Sequence, residues 1–221
     1  MRRILFEKTG NGIWISHLDL MRILQRAFRR SGILLKHTQG FNPHAFVSLA
    51  LPLSVGTASR CELLDFELAE SEAAVDTASL PERLNAALPD GIHCVLGYDG
   101  GRKLKELTHL QVEVRLEYDQ GVPVGAVDAI DGLFHGETLV VEKRSKNGPV
   151  EQDILPMVKT ITVSTEDENT VLLSAVICAQ NPSLNPDLLA KAVGTHLPDF
   201  APDFAKSMRI EMLTQDGTPF R

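Results

Sequence analysis

Apolar and polar residues alternate along this chain in two registers, one with the period of a strand and one with that of a helix. The run Arg3-Ile4-Leu5-Phe6-Glu7-Lys8, the glycine turn Gly10-Asn11-Gly12 and the apolar Ile13-Trp14-Ile15 predict a strand or bent strand pair ending at Ser16. Ser16 opens a helix. Ser16-His17-Leu18-Asp19 is an acidic variant of the capping box. Leu20, Met21, Leu24, Ala27 and Phe28 then fall at i, i+1, i+4, i+7 and i+8, a single apolar stripe. Ser31-Gly32 ends the helix, with Arg29 and Arg30 in the last turn, where cations suit the helix dipole.

A strand is predicted over 33–37, a loop over 39–44 from its Gly and Asn-Pro signals, and strands over 46–51 and 62–68. A short helix over 80–88, with Pro81 in its first turn, and a strand over 92–96 complete this half. The order is β-α-β-β-α-β, the ferredoxin-like pattern. After the polar hinge 99–103 the pattern restarts. Strand 110–116, helix 124–134, strand 138–143, a turn at 145–148, a hairpin of 158–164 with 170–179, a helix from Asn185-Pro186-Asp187 to His196 and strand 208–213 follow. The predicted fold is therefore α+β, two tandem ferredoxin-like (βαββαβ) units, residues 1–101 and 102–221.

With 221 residues, 43% of them hydrophobic and 23% charged, the chain can bury a core, which excludes disorder, collagen and coiled coil. No apolar run approaches the roughly 20 residues of a membrane span, and the N-terminal residues are too polar and short for a signal peptide. Cys61, Cys94 and Cys178 are odd in number and far apart, incompatible with a disulfide framework or a C-x-x-C motif within the chain. A reducing cytoplasm, with no membrane contact, is the expected setting.

The net charge of −7 is unevenly spread. Residues 1–60 carry Arg2, Arg3, Lys8, Arg22, Arg26, Arg29, Arg30, Lys36 and Arg60 against Glu7 and Asp19 alone. Either this segment presents an anion-binding surface, or its arginines pair internally with acids of the C-terminal half; charge asymmetry by itself does not choose.

At 100° per residue, Arg22, Arg26 and Arg29 lie within about 60° of one another, with Arg30 on their margin, opposite the apolar stripe. Such guanidiniums repel unless an anion neutralises them, although Asp19 is placed to pair with Arg22. The stretch Lys36-His37-Thr38-Gln39-Gly40-Phe41-Asn42-Pro43-His44 is rich in donors, and Phe41 is either a platform for a base or a plug in the core. His17, His37 and His44 match no metal-ligand spacing and no carboxylate stands beside them, so no bound metal is expected. His17 falls on the apolar side of its helix. His17, His37 and His44 could supply a general acid and base, with His17, His44 and Asp19 the leading candidates. No phosphate-binding glycine loop or Gly-x-Ser-x-Gly elbow occurs. Lys143, Arg144, Ser145, Lys146 and Asp153 form a second polar group, read as a hairpin tip.

The blocks Lys8-Thr9-Gly10, Ser16-His17-Leu18-Asp19, Arg26-Ala27-Phe28-Arg29-Arg30, Gln39-Gly40-Phe41-Asn42-Pro43-His44, Leu51-Pro52-Leu53 and Glu62-Leu63-Leu64-Asp65 resemble the bacterial radical SAM-linked protein family, a domain of unknown function. Weaker echoes lie in 143–153 and 183–187. Ala45-Phe46 stands where that family has proline and a polar or basic residue. The resemblance implies a radical SAM enzyme as partner, fused or separate, and gene neighbours that point to RNA. Radical SAM chemistry needs C-x-x-x-C-x-x-C, which this chain lacks. S-adenosylmethionine and an iron–sulfur cluster would thus belong to the partner, with no cofactor in this chain.

Two functions are expected from these features. In the first, an accessory protein binds RNA or another phosphate-bearing substrate through Arg22, Arg26, Arg29 and Arg30, with Gln39, Phe41, Asn42 and His44 at the base or reacting group. In the second, a metal-independent RNA-processing enzyme uses His17 and His44. A protein–protein adaptor is the remaining alternative.

Overall fold

A computed structural model describes residues 1–145 and 148–221. The first strand, β1 (Arg2–Lys8), is followed by helix α1 (His17–Arg30), a short strand β2 (Val47–Leu49), β3 (Ala58–Phe66), helix α2 (Leu80–Asn85) and β4 (Ile92–Asp99). Three pairs among these strands are antiparallel: Ile4 faces Leu64 across β1 and β3, Arg2 faces Asp99 across β1 and β4, and Val47 faces Phe66 across β2 and β3. Residues 64–66 of β3 pair with both β1 and β2, which fixes the strand order β4-β1-β3-β2.

The capping residues set α1. Ser16 is the N-cap, its hydroxyl oxygen accepting from the Asp19 amide at 3.2 Å and the hydroxyl donating to the Asp19 carboxylate at 2.8 Å. At the other end Gly32 takes φ +68, and the amides of Gly32 and Ile33 donate to the carbonyls of Arg29 and Phe28, a Schellman closure. Leu20, Leu24, Ala27 and Phe28 pack with Ile4, Phe6, Leu64 and Phe66. The rings of Phe28 and Phe66 lie 4.9 Å apart at 54°.

Two strands expected from the sequence are absent. Residues 10–14 form a 3-10 turn, because the Ile13 carbonyl accepts from the buried Lys8 ammonium at 2.8 Å and the Gly56 amide at 2.9 Å instead of joining a ladder. The turn also needs Gly12, since a Cβ there would sit 2.4 Å from the Gly91 carbonyl oxygen. Residues 33–37 make only isolated bridges, Leu35 with Leu68 and His37 with Ala45. Their hydrogen bonds go first to one neighbour and then to another: the Lys36 amide donates to the Glu67 carbonyl, and the Lys36 carbonyl accepts from Phe46.

The rest of the chain runs β5 (His109–Glu117), α3 (Ala126–Phe134), β6 (Val140–Ser145), β7 (Gly148–Asp153), β8 (Val158–Asp167), β9 (Thr170–Cys178), α4 (Asp187–His196) and β10 (Phe204–Leu213). The order β10-β5-β9-β8 is antiparallel throughout, and α3 lies against β8 while α4 touches β5 and β10. β6 and β7 form a separate hairpin. Its base is held by Asp153, which accepts from the Leu139 amide at 2.9 Å and the Leu155 amide at 3.2 Å, and by His196 Nε2, which donates to the Val140 carbonyl at 2.7 Å. The expected 145–148 turn and the polar group at 143–146 include Lys146, which with Asn147 lies outside the described residues. The chain is thus a mixed α/β protein with mostly antiparallel sheet and few helices. It packs as two compact units, Met1–Leu104 with Arg221, and Lys105–Phe220. Among the described residues no helix is long and apolar enough to cross a membrane.

Candidate functional site

The basic residues of the first unit divide by what they touch. Arg3 is buried and grips Asp65 with two bonds, Nε at 2.6 Å and a terminal nitrogen at 3.0 Å. Arg2 donates to the carbonyls of Val75 and Ala73. Lys36 pairs with Glu67 at 2.8 Å, which raises its pKa, and stands 5.3 Å from the centre of the Phe46 ring. Internal pairing therefore engages these cations. Arg26, Arg29 and Arg30 form no salt bridge among the described residues.

Arg22, Arg26 and Arg29 line a groove of about 600 Å³. Gln25 shares their face of α1, and Ile33, Leu34, Leu35, Ala45 and Ala69 supply an apolar side. His37 completes the lining. Its Nδ1 donates to the Leu35 carbonyl at 2.9 Å, which fixes the tautomer of the neutral ring and leaves Nε2 as its open nitrogen. The volume is that of a site for a small ligand or a fragment of a polymer. One side offers planar cationic donors suited to phosphate or carboxylate, and the other offers apolar surface. Arg30 is exposed on α1 outside this lining.

Asp19 lies at the head of the same helix face. Hydrogen bonds from Ser16 and Arg22 hold its carboxyl below the usual carboxylate range. A carboxylate engaged in this way braces the Ser16 cap and orients Arg22, and is a weaker base for it. His17 is exposed, contrary to its helical phase, because the buried stripe begins only at Leu20. His44 borders a different and smaller hollow with Met1, Phe46 and Asp65, and its Nδ1 lies 3.1 Å from the Thr38 hydroxyl. Neither His17 nor His44 lines the arginine groove. Gln39, Phe41 and Asn42 are exposed in the loop between His37 and Ala45, and Phe41 is no core plug.

Sequence reasoning missed Gln25 and the apolar side of the groove. Gln25 could have been found, since it lies one turn before Arg29 on the helical wheel. Leu34 and Ala69 carry no local signal, because tertiary packing alone brings them to α1. Among the described residues no three of His, Cys, Asp or Glu gather as metal ligands would.

A family model for DUF2344, described as an uncharacterized protein conserved in bacteria, matches residues 2–186. The chain belongs to this family. The match spans all of α1, the groove and the 39–44 loop of this DUF2344 protein. No curated protein matches it. Its fold is similar to that of a chain in a solved structure titled "Crystal Structure of a Cbf5-Nop10-Gar1 Complex", with a TM-score of 0.53 and 12% identity. The likeness covers 96% of the DUF2344 chain and 48% of the other, so this protein spans about half the length of that chain. At this identity the likeness is one of fold alone.

Proposed function

We propose that this protein is an accessory subunit that binds a phosphate-bearing substrate, RNA foremost, for a radical SAM enzyme. The observation that carries this reading is the groove, where Arg22, Arg26 and Arg29 converge and two of the three form no salt bridge among the described residues. Unpaired guanidiniums on one helix face repel one another, and an anion relieves the repulsion. The protein is acidic as a whole, so attraction to a polyanion must come from a local patch and not from bulk charge.

The partner follows from the resemblance of the His-Leu-Asp and Gly-Phe-Asn-Pro-His blocks to radical SAM-linked proteins. On this reading the cluster and S-adenosylmethionine belong to the partner. The cysteines here support that division: Cys61, Cys94 and Cys178 do not form the C-x-x-x-C-x-x-C triple that holds such a cluster. We read both units as ferredoxin-like, which the orders β4-β1-β3-β2 and β10-β5-β9-β8 support.

Co-purification with the radical SAM protein of the same cell, followed by sequencing of the RNA retained, tests the proposal. A defined RNA population held by the parent and lost with Arg22→Gln, Arg26→Gln and Arg29→Gln combined is expected. Equal retention by the folded triple variant would contradict it.

A further inference from the structure

The loop carrying Phe41 rises from the wall of the arginine groove. His37 and Ala45 both line the groove, and they pair with each other as an antiparallel bridge. One step beyond, the Thr38 amide donates to the His44 carbonyl at 2.9 Å, and the His44 amide donates to the Thr38 hydroxyl at 3.1 Å. These bonds brace the base of the loop. Above them the backbone turns through Gly40, at φ +129, and Phe41 stands wholly in solvent at 112% exposure. The ring takes no part in the core. Gln39 and Asn42 flank it, both exposed, and each amide carries donors and an acceptor.

Chain geometry limits how far this ring can be from the cations. Phe41 lies four positions after His37, so their Cα atoms are at most about 14 Å apart. Arg22 and Arg29, seven residues apart on α1, span about 10 Å. A ligand crossing from the arginines to Phe41 is thus a few nucleotides long.

We infer that the groove takes single-stranded RNA, its phosphates on Arg22, Arg26 and Arg29 and a neighbouring unpaired base stacked on Phe41, with Gln39 and Asn42 at the edge of that base. This rests on the phosphate-binding reading above and adds the strandedness of the ligand. A paired base keeps its faces inside the stack, whereas a single-stranded base offers one to an aromatic side chain and its edges to amides. An acidic peptide would satisfy the arginines but presents no flat face with polar edges for this loop.

The test uses the full chain and a fluorescent RNA of eight mixed-sequence nucleotides, alone or annealed to its complement. Binding to the single strand is expected to be the tighter. Phe41→Ala should weaken it roughly five- to a hundredfold without changing its salt dependence, and Phe41→Trp should restore it. Because Phe41 touches no core, both variants keep the fold. If the duplex binds as well as the single strand, or Phe41→Ala changes nothing while the triple arginine variant still abolishes binding, the stacking inference fails and the phosphate reading survives. If the folded triple variant binds like the parent, or polyglutamate binds more tightly than RNA, the phosphate reading falls and the inference with it.

Discussion

Arg22 donates to Asp19 at 2.9 Å, so the arginine nearest the start of α1 reaches the groove already partly neutralised. Arg26 and Arg29, one and two turns further on, form no salt bridge among the described residues, and only Arg26 still feels the charge of Asp19. The three arginines are therefore unequal.

This inequality predicts an order of effects on RNA binding. Arg26→Gln and Arg29→Gln should each reduce the salt slope by about 0.7, the value of one phosphate contact on a single strand. Arg22→Gln should reduce it less. Affinities of the three single variants for one short RNA at several salt concentrations would show the order.

The same contact links the helix cap to pH. Ser16→Ala should destabilise the first unit by about 1 kcal/mol through loss of the N-cap bond to the Asp19 amide. Because its folded pKa is depressed by Ser16 and Arg22, Asp19 contributes stability that is complete above its unfolded pKa of about 3.9 and is lost as pH falls through its folded value. Asp19→Asn should lower the stability at neutral pH and remove that part of the acid dependence, so that parent and variant converge as pH falls. Urea midpoints of parent and variant across the acid range would measure it.

The legibility of this fold divides by the range of the signals. α1 could be read in full, from the Ser16 cap to the Gly32 stop, because its information lies within a few residues of each end. The chain order of strands and helices in the first unit could be read from its periodicities, but 33–37 misled: its apolar residues have strand composition, while its hydrogen bonds are split between Glu67 and Phe46. Polar Ser59 and Arg60 concealed the start of β3, where Ser59 is buried. The arginine face was legible from helical phase. The apolar side opposite it was not, since Leu34, Ala45 and Ala69 come together only through long-range packing.

Core packing predicts a large loss at one site. Phe28 is fully buried against Phe66, so Phe28→Ala should cost about 3–5 kcal/mol and lower the denaturant midpoint of the first unit. An Arg29→Gln variant, one residue away but exposed, should stay within about 0.5 kcal/mol of the parent.

Cysteine reactivity offers a separate check. Cys61 and Cys94 are buried and Cys178 is half-buried, and desolvation raises the Cys94 thiol to about 12. A thiol reagent at neutral pH should modify Cys178 first, and Cys94 only when denaturant opens the first unit. Peptide mapping of the labelled chain would give the order. Rapid labelling of Cys94 in the native protein would contradict this packing.

The salt dependence of RNA binding tests the central claim most directly. Three phosphate contacts on a single strand predict that log K falls against log salt with a slope of about −2. The combined substitution of Arg22, Arg26 and Arg29 by Gln should flatten that slope towards zero in a protein that melts like the parent. A slope near −2 that persists in the folded triple variant would place the contacts elsewhere and contradict the assignment of this groove.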